Sequence, residues 1–353
     1  MEKRIKENGT PVKAVALLSG GLDSTLAVKI ILDMGIQVDA VNIHTGFCLI
    51  DHRRFISSRR GEAPPVNEAL RAAADLGVHV EMIDISGEYL DVVLNPKHGY
   101  GSAANPCIDC RILMLKRAME YMDRIGADFL VTGEVLGQRP MTQHRGTMRR
   151  IAKESDTADI LLRPLSAKLL DPTKPEIEGL VDREQLYGIS GRGRKDQMRL
   201  AREKGIADYP QPAGGCCFLT DKNYARKFRD LVAHRPRGTI KLDDLVILKA
   251  GRHFRVSDSA KAIVGRDKAE NEFLERFTTG RWIFKVLDYQ GPLTLAEGEP
   301  SEGDLRAIAS IAARYSDGKQ QPELDVMCRH PDGREEKFTT PPMDEALVVQ
   351  ARL

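Results

Sequence analysis

The length, composition and charge of this chain exclude several classes of protein. It has 353 residues, of which 42% are hydrophobic and 29% are charged, and its formal net charge is +2. A chain of this length predicts two or three domains. Its polar start predicts that no secretory signal is present, and the absence of an apolar run of about 18 residues predicts no membrane helix. We therefore expect a cytoplasmic protein.

The first half of the chain alternates strand and helix patterns. Short apolar runs between turn residues predict strands, and apolar residues at helical spacing predict the helices between them. Strands are predicted at 12–18, 38–43, 78–85, 129–135 and 160–164, and helices at 25–34, 66–76 and 111–125. This alternation is typical of a parallel sheet covered on both faces, so we predict an α/β fold.

The second half has a different pattern, with helices first and short strands after them. Helices are predicted at 175–187, 195–204, 221–232, 267–277 and 302–315, and strands at 245–250, 253–256, 262–264, 282–287, 293–296, 324–328 and 346–349. We therefore predict an α/β domain at 1–215, a basic helical connector at 216–237 and a smaller α+β domain at 238–353.

The most specific motif lies between the first predicted strand and the first predicted helix, at Ser19-Gly20-Gly21-Leu22-Asp23-Ser24-Thr25. Its two glycines allow a sharp turn and a close approach of ligand to backbone. The helix start offers unpaired N–H groups, and the hydroxyl groups add donors. This arrangement predicts an anion site sized for pyrophosphate. It is neither a Walker A loop nor a G-x-G-x-x-G loop.

Asp23 is unexpected in an anion site, because its carboxylate repels phosphate. A Mg²⁺ ion shared between Asp23 and phosphate oxygens removes that repulsion. The alternative is an ordinary helix start, where the helix dipole favours an acidic residue. The complete motif after an apolar strand favours the magnesium site.

Six cysteines in a cytoplasmic chain are expected to be reduced, which favours metal or catalytic roles. Cys107 and Cys110 form a C-x-x-C just before the helix predicted at 111, and Cys216 and Cys217 are adjacent. Three roles stay open: an iron–sulfur cluster with an open iron, persulfide chemistry, or a structural zinc. Cys48 and Cys328 have no partner spacing and are expected to be buried thiols.

The loop at Ser19–Thr25 resembles the PP-loop of the N-type ATP pyrophosphatases, which have the adenine nucleotide alpha hydrolase-like fold. Members of that superfamily cleave ATP between the α- and β-phosphates, adenylate a substrate oxygen and release pyrophosphate. The resemblance implies ATP and Mg²⁺ as cofactors. It also implies a parallel α/β sheet, in agreement with the alternating pattern.

Further stretches at 105–110, 132–143, 163–165 and 172–177 resemble the tRNA thiolase branch of that superfamily. The similarity is to the 4-thiouridine synthase catalytic domain and the tRNA 2-thiouridylases, over about residues 12–220. It implies sulfur chemistry on Cys107, Cys110 and Cys216, with a [4Fe–4S] cluster as one form of it. It also implies a tRNA substrate and a sulfur donor, either a cysteine desulfurase or inorganic sulfide. The residues expected to line the nucleotide or uridine pocket are His44, Gly133, Gln138 and Gln143.

Basic residues cluster between 192 and 241, a segment that contains thirteen Lys and Arg but only five Asp and Glu. They indicate either a solvated helical face or a surface that meets RNA phosphates. The residues expected to contact RNA are Arg139, Arg194, Lys195, Arg199, Arg226 and Lys227. The stretches 251–256 and 262–272 resemble the RNA-binding domain of NFACT proteins. The alternative for this part is a generic appendage or a surface for homodimer formation.

Two other functions remain to be separated from tRNA thiolation. One is a PP-loop synthetase or amidotransferase that acts on a small molecule. Such an enzyme needs neither the basic stretch nor the paired cysteines. The other is a non-catalytic RNA-binding protein that relays sulfur, although the intact Asp23 and Ser24 argue against a decayed loop.

Overall fold

The computed structural model of the chain describes residues 4–49, 56–59, 66–210 and 217–353. The chain divides into two units, one drawn from Met1–Phe47 and Val66–Cys216 and the other from Cys48–Pro65 and Cys217–Leu353. Each unit has its own sheet and its own apolar core. Within the described ranges, no helix has the length and apolar character required to span a bilayer.

The N-terminal unit contains a parallel sheet of five strands. They are β1 (Lys13–Leu17), β2 (Gln37–His44), β3 (His79–Asp84), β4 (Phe129–Thr132) and β5 (Leu161–Leu162), in the order β3-β2-β1-β4-β5. Every neighbouring pair is parallel. The predicted α/β fold is therefore confirmed. The order reverses at β1, and ligands of open α/β sheets bind at the carboxyl ends of the strands beside such a reversal.

Helices of the N-terminal unit cover this sheet. They are α1 (Leu22–Asp33), α2 (Glu68–Leu76), α3 (Ser86–Leu94), α4 (Cys107–Arg124), α5 (Arg145–Glu154), α6 (Lys174–Ile177) and α7 (Lys195–Glu203). Leu26 and Ile30 of α1 pack with Phe129 of β4 in a core from which water is excluded. Helix α2 starts at Asn67, whose side chain accepts hydrogen bonds from two backbone N–H groups, and ends at Gly77 with a φ of 66°.

One helix of this unit starts earlier than predicted, and one helix prediction is wrong. Helix α4 begins at Cys107, so the two cysteines lie inside its first turn and not before it. Pro106 precedes the first turn, and Asp109 within it suits the positive end of the helix. The helix predicted at 175–187 is instead the short α6 and a 3-10 turn at Arg183–Gln185, because Gly179 has a φ of 70° and stops the helix.

The C-terminal unit contains a separate sheet of six antiparallel strands. They are β6 (Arg252–Ser257), β7 (Ala260–Val264), β8 (Trp282–Val286), β9 (Thr294–Gly298), β10 (Leu324–Arg329) and β11 (Glu335–Thr340), in the order β11-β10-β8-β9-β7-β6. Its helices are α8 (Lys222–His234), α9 (Leu242–Val246), α10 (Lys268–Glu275), α11 (Glu302–Arg314) and α12 (Glu345–Ala351). The predicted α+β pattern is confirmed for this unit.

Two strands predicted in the C-terminal part are helices. Residues 245–250 fall in α9 and a 3-10 turn at Ile247–Lys249, and residues 346–349 fall in α12. A short apolar run fits a buried strand and a buried helix equally well. Here the helix starts decide the outcome: the backbone N–H of Lys241 donates to Asp244 Oδ2 at 2.8 Å, and Asp344 accepts a hydrogen bond from the N–H of Ala346.

One face of the C-terminal sheet is apolar, and the opposite face carries ion pairs beside further buried apolar residues. Phe254, Ala262 and Ala296 pack with α11 in the core. The residues next to them in their strands point the opposite way, and there Lys261 Nζ lies 3.2 Å from Glu297 Oε2. Arg281 lies 2.8 Å from Glu297 Oε1 and 3.4 Å from Asp244 of α9. Because these side chains are nearly excluded from water, the loss of one charge would leave its partner buried without compensation, at a cost in stability.

Acid is expected to weaken the C-terminal unit through Glu297. Burial alone would raise the pKa of Glu297, but the charges of Lys261 and Arg281 outweigh burial and lower it from 4.5 to about 2. A depressed carboxyl pKa stabilises the fold above the unfolded pKa, and this stabilisation, about 3 kcal/mol, is lost as pH falls from about 4.5 to about 2. Glu297→Gln should therefore be less stable than the parent at pH 7 and equally stable near pH 2.

Fluorescence of Trp282, the single tryptophan, reports unfolding of this unit alone, because Trp282 lies in β8. Urea titrations from pH 7 to pH 2 compare the parent, Glu297→Gln and the exposed control Glu299→Gln. A constant stability gap between the parent and Glu297→Gln across this range would contradict the assignment.

Candidate functional site

The loop that follows β1 forms a tight turn at the carboxyl edge of the parallel sheet. Gly20 has a φ of 76°, and a Cβ atom there would collide with the backbone of Glu68 at the start of α2. Ser24 Oγ donates to the carbonyl of Gly21 at 2.9 Å, and Thr25 Oγ1 donates to the same carbonyl at 3.1 Å. These two hydroxyl groups hold the turn, which leaves the N–H groups of the α1 start to meet an anion.

Only one of the two carboxylate oxygens of Asp23 accepts a hydrogen bond from a described residue. Its Oδ2 accepts a hydrogen bond from Gln138 Nε2 at 2.7 Å. Its Oδ1 is buried and accepts no hydrogen bond from any described residue. Burial raises the pKa of Asp23, against the opposing effects of Gln138, Arg194 and Arg139. A buried carboxylate oxygen without a donor, beside an anion cradle, fits a hard cation such as Mg²⁺.

A second side chain, which the sequence did not indicate, continues from Gln138. Gln197 of α7 donates from Nε2 to Gln138 Oε1 at 3.0 Å. Gln197 is completely buried, and its Oε1 meets no donor within the described part of the chain. The only signal in the sequence is a polar residue on the apolar face of α7, in helical register with Leu200 and Ala201. Asp23, Gln138 and Gln197 thus form one hydrogen-bonded chain from the loop to α7.

The residues predicted to line the pocket have different structural roles. A Cβ atom at Gly133 would collide with the backbone of Asp23, so this glycine lets the end of β4 approach the start of α1. Gln143 is buried, and its Oε1 accepts a hydrogen bond from the N–H of Arg139 at 2.9 Å, which shapes the turn after Gln138. His44 ends β2, with its Nδ1 3.6 Å from Asp84 Oδ1.

The cysteine pair is connected to the same edge of the sheet by a buried carboxylate. Arg111, next to Cys110, lies 3.3 Å from Glu134 Oε1, and Arg163 Nε donates to Glu134 Oε2 at 3.0 Å. Burial alone would raise the pKa of Glu134, but the two guanidinium groups outweigh it and lower that pKa. Because Glu134 follows Gly133, these contacts link the first turn of α4 to the backbone of Asp23.

Two more contacts fix the turn that carries the cysteines. Asn105 Nδ2 donates to Cys107 Sγ at 3.0 Å and to Met141 Sδ, in the pocket stretch, at 3.4 Å. Asp109, between the cysteines, lies 2.8 Å from His98 Nδ1 and accepts from the backbone N–H of His98 at 3.0 Å. His98 is not apparent from the sequence, because no local pattern connects it with Asp109, eleven residues further along the chain. The C-x-x-C turn is therefore held on both sides.

The basic residues predicted to meet RNA separate into two groups. Arg139, Lys195, Arg199 and Arg226 are exposed, whereas Arg194 is half-buried and lies close enough to affect the charge of Asp23. The structure does not agree with the RNA contact expected for Lys227. Its ammonium group points inward and donates to the carbonyls of Leu248 and Gly251 at 3.1 and 3.0 Å. Burial, followed by the charge of Arg266, lowers the pKa of Lys227 to about 7. Lys227 is thus unsuited to phosphate contact.

Of the three cysteines predicted to bind a cluster, the structure describes Cys107 and Cys110. Cys216 lies outside the described residues. Across the described ranges, no three His, Cys, Asp or Glu side chains converge as a metal site would require. Cys107 and Cys110 share one helical turn. The cluster of three cysteines stays a prediction, because the position of its third member, Cys216, is not described.

Alanine at Gly20 is expected to disrupt the phosphate loop, whereas alanine at Gly21 is expected to leave it folded. Gly20 has a positive φ and no room for a methyl group against Glu68. Gly21 has a φ of −76°, and its new Cβ would lie 3.6 Å from Ser19 Oγ. Thermal unfolding followed by circular dichroism should show a loss of more than about 2 kcal/mol for Gly20→Ala only. Equal losses in the two variants would contradict the tight contact with α2.

Family models match two segments of the chain. Residues 12–170 match the tRNA methyl transferase HUP domain. Residues 251–351 match the NFACT protein RNA binding domain. The two matches fall on the parallel sheet and on the antiparallel sheet, respectively.

Curated relatives match between one third and about two thirds of the chain. The chain is 33% identical over 120 residues to the tRNA-specific 2-thiouridylase MnmA of Syntrophotalea carbinolica, covering 33% of this chain and 32% of that protein. It is 26% identical over 253 residues to the tRNA-specific 2-thiouridylase MnmA of Xanthobacter autotrophicus, covering 68% of this chain and 59% of that protein. The chain thus spans less than two thirds of the length of either relative.

Solved structures with partial similarity include a 4-thiouridine synthetase–RNA complex with bound ATP. It matches at 19% identity and a TM-score of 0.33, over 56% of this chain and 53% of that one. A predicted subunit of tRNA methyltransferase from Methanocaldococcus jannaschii matches at 16% identity and a TM-score of 0.33, over 54% of this chain and 76% of that one.

Proposed function

We propose that this protein is an ATP-dependent tRNA uridine thiolase. It adenylates a carbonyl oxygen of a uridine, releases pyrophosphate and then replaces the adenylated oxygen with sulfur. Residues 12–170 match the tRNA methyl transferase HUP domain and residues 251–351 match the NFACT protein RNA binding domain, which supports this proposal. The observation that carries the proposal is the link from the phosphate loop through Gly133 and Glu134 to the turn of Cys107 and Cys110.

The loop at Ser19–Thr25 binds the phosphates of ATP in this proposal. Backbone N–H groups at the start of α1 offset the charge that develops as pyrophosphate leaves. Asp23 Oδ1, buried without a donor, would hold Mg²⁺, which supplies positive charge to the phosphate oxygens. Gln138 keeps the other oxygen of Asp23 in place through its hydrogen bond of 2.7 Å.

The sulfur step uses the cysteines. A sulfur nucleophile attacks the carbon that bears the adenylated oxygen, and AMP leaves with that oxygen. The sulfur arrives as hydrosulfide, or as the outer sulfur of a persulfide on Cys107 or Cys216. In the persulfide route, the thiolate of the other cysteine then attacks the inner sulfur, which releases the thiouridine and leaves a Cys107–Cys216 disulfide that an external thiol reduces. A [4Fe–4S] cluster on Cys107, Cys110 and Cys216 would supply an open iron for hydrosulfide. The N-terminus of α4 stabilises an anionic sulfur on either cysteine of its first turn.

RNA binding is divided between the two parts of the chain in this proposal. Residues 1–215 carry the chemistry together with Cys216, the first residue of the connector at 216–237, and residues 238–353 hold tRNA. The exposed Arg139, Lys195, Arg199 and Arg226 contact phosphates without reading sequence. The target uridine leaves its stack so that its carbonyl reaches the α-phosphate. The sulfur donor is a cysteine desulfurase or inorganic sulfide.

Pyrophosphate release with different acceptors tests this function. Protein purified without oxygen receives ATP and Mg²⁺ with tRNA from a strain that lacks the gene, with small carboxylic acids or nitriles, or alone. We expect stimulation by tRNA and, with sulfide present, a thiouridine in the digested tRNA by mass spectrometry. Stimulation by small acceptors only would identify a synthetase, and tRNA binding without ATP turnover would identify a binding protein.

The form of the sulfur intermediate is tested on the same preparation. Iron and acid-labile sulfide in amounts that fall together in Cys107→Ser and Cys110→Ser would support the cluster. Protein with full thiolation activity and no iron would exclude the cluster and favour the persulfide.

A further inference from the structure

Two cysteines outside the C-x-x-C turn lie directly opposite each other. Cys48, four residues after the end of β2, and Cys217, just before the 3-10 turn at Phe218–Thr220, are partners in an isolated antiparallel bridge. Cys217 is buried and Cys48 is half-buried. The sequence suggested no link between them, because they are far apart in the chain.

The geometry of an antiparallel bridge suits a disulfide. Residues that face each other in such a pair have Cα atoms about 4.5–5.5 Å apart and side chains on the same face. A disulfide requires Cα atoms about 4.4–6.8 Å apart. The two sulfur atoms can therefore be joined without a large movement of the backbone.

The surroundings separate this pair from the other described cysteines. The carbonyl of Cys217 accepts hydrogen bonds from Thr220, from Oγ1 at 2.7 Å and from the backbone N–H at 3.2 Å, so the backbone beside its sulfur is fixed. Cys328 has no exposed surface in β10, where burial and then Glu336 raise its pKa to about 12. Cys328 is thus an inert thiol and a matched control.

We propose that Cys48 and Cys217 form a reversible dithiol–disulfide pair that reacts with low-molecular-mass disulfides. The half-buried Cys48 thiolate attacks one sulfur of the small disulfide, giving a mixed disulfide and releasing one small thiol. The Cys217 thiolate then attacks the sulfur of Cys48 and releases the second small thiol. Two electrons pass from the pair to the small disulfide, and the two cysteine protons leave on the released thiols.

Oxidation of this pair has a consequence that rests on the proposed function. Cys217 adjoins Cys216, one of the cysteines proposed to carry sulfur. A bond between Cys48 and Cys217 fixes the chain beside Cys216 and removes a neighbouring thiol. Disulfides of proteins in reducing compartments are usually catalytic or redox-sensing. The pair therefore makes sulfur transfer sensitive to the thiol–disulfide balance, while the ATP step is unaffected.

Peptide mapping of the full chain tests the pair. Reduced protein is treated with oxidised glutathione, alkylated and digested without reduction, and the linked peptides are identified by mass spectrometry. We expect a Cys48–Cys217 link that dithiothreitol reverses. It should be lost in Cys48→Ser and in Cys217→Ser, and kept in Cys328→Ala and in Cys216→Ser. Far-ultraviolet circular dichroism verifies that each variant is folded.

Several outcomes would overturn the pair. These are a Cys216–Cys217 link in its place, a stable glutathione adduct on Cys48 while Cys217 is reduced, or no link in folded protein. Each would show that the two sulfur atoms do not meet in solution.

Activity assays separate this inference from the proposed function. Oxidised protein should release pyrophosphate with tRNA but form no thiouridine, and Cys48→Ser should keep both activities under the same treatment. Formation of the link in protein that never thiolates tRNA would refute the proposed function and leave the pair intact. Thiolation that is insensitive to glutathione, with no link formed, would refute the pair alone.

Discussion

Asp23→Asn is expected to lower ATP-dependent pyrophosphate release by about 10²–10³-fold while the protein stays folded. The amide has the shape of the carboxylate and can accept the hydrogen bond from Gln138. It replaces the buried Oδ1 with a donor and removes the charge that would bind Mg²⁺. Because burial raises the pKa of Asp23, its charged form is costly in the free protein, and the amide should not reduce stability.

Asp33→Asn is the matched control for this prediction. Asp33 lies in the same helix and pairs with Lys29 at 2.6 Å and Lys204 at 2.7 Å. Its pairs are partly exposed, so its loss should cost at most about 1 kcal/mol and leave pyrophosphate release unchanged. Rates are measured over a range of Mg²⁺ concentrations, with the melting temperature alongside. Retention of the parent rate in Asp23→Asn at every Mg²⁺ concentration would remove Asp23 from the magnesium site.

The features predicted correctly from the sequence are those whose residues are neighbours in the chain. The strand, the glycine turn and the start of α1 occupy one short segment and follow one another in the structure as predicted, whereas the anion site at this turn stays a prediction. The same holds for the parallel sheet, because its strands are apolar runs separated by helices at regular spacing.

The features that the sequence did not reveal bring distant segments together. Gln197 reaches Gln138 from α7, and Glu134 is shared by arginines from α4 and from the chain after β5. No local pattern marks a polar residue as the partner of another one so far away. The same limit explains why Cys48 and Cys217 were not connected.

Charge spacing proved a poor guide to exposure. Lys227 and Arg226 are neighbours in a basic helix, yet Arg226 is exposed and Lys227 caps two backbone carbonyls. A one-residue step turns a helical side chain by about 100°, so the tertiary contacts of α8 decide which charges face water. Arg226 can meet phosphate, whereas Lys227 stabilises the segment from Leu248 to Gly251.

Glu134→Gln is expected to destabilise the N-terminal unit by about 3–5 kcal/mol, because it leaves the buried Arg163 and the half-buried Arg111 without their shared negative charge. Unfolding by urea, followed by far-ultraviolet circular dichroism, measures this loss. Trp282 fluorescence should change little, because Trp282 belongs to the other sheet.

Glu134→Gln should also reduce activity, because Glu134 connects the turn of Cys107 and Cys110 to Gly133 and so to Asp23. We expect thiouridine formation to fall more than pyrophosphate release in protein that is still folded. Glu178→Gln, which removes an exposed pair with Lys174 at 3.7 Å, should cost less than about 0.5 kcal/mol and leave both activities unchanged. A cost below about 1 kcal/mol for Glu134→Gln would mean that the two arginines find other partners, and that this carboxylate does not hold the cysteine turn at the phosphate loop.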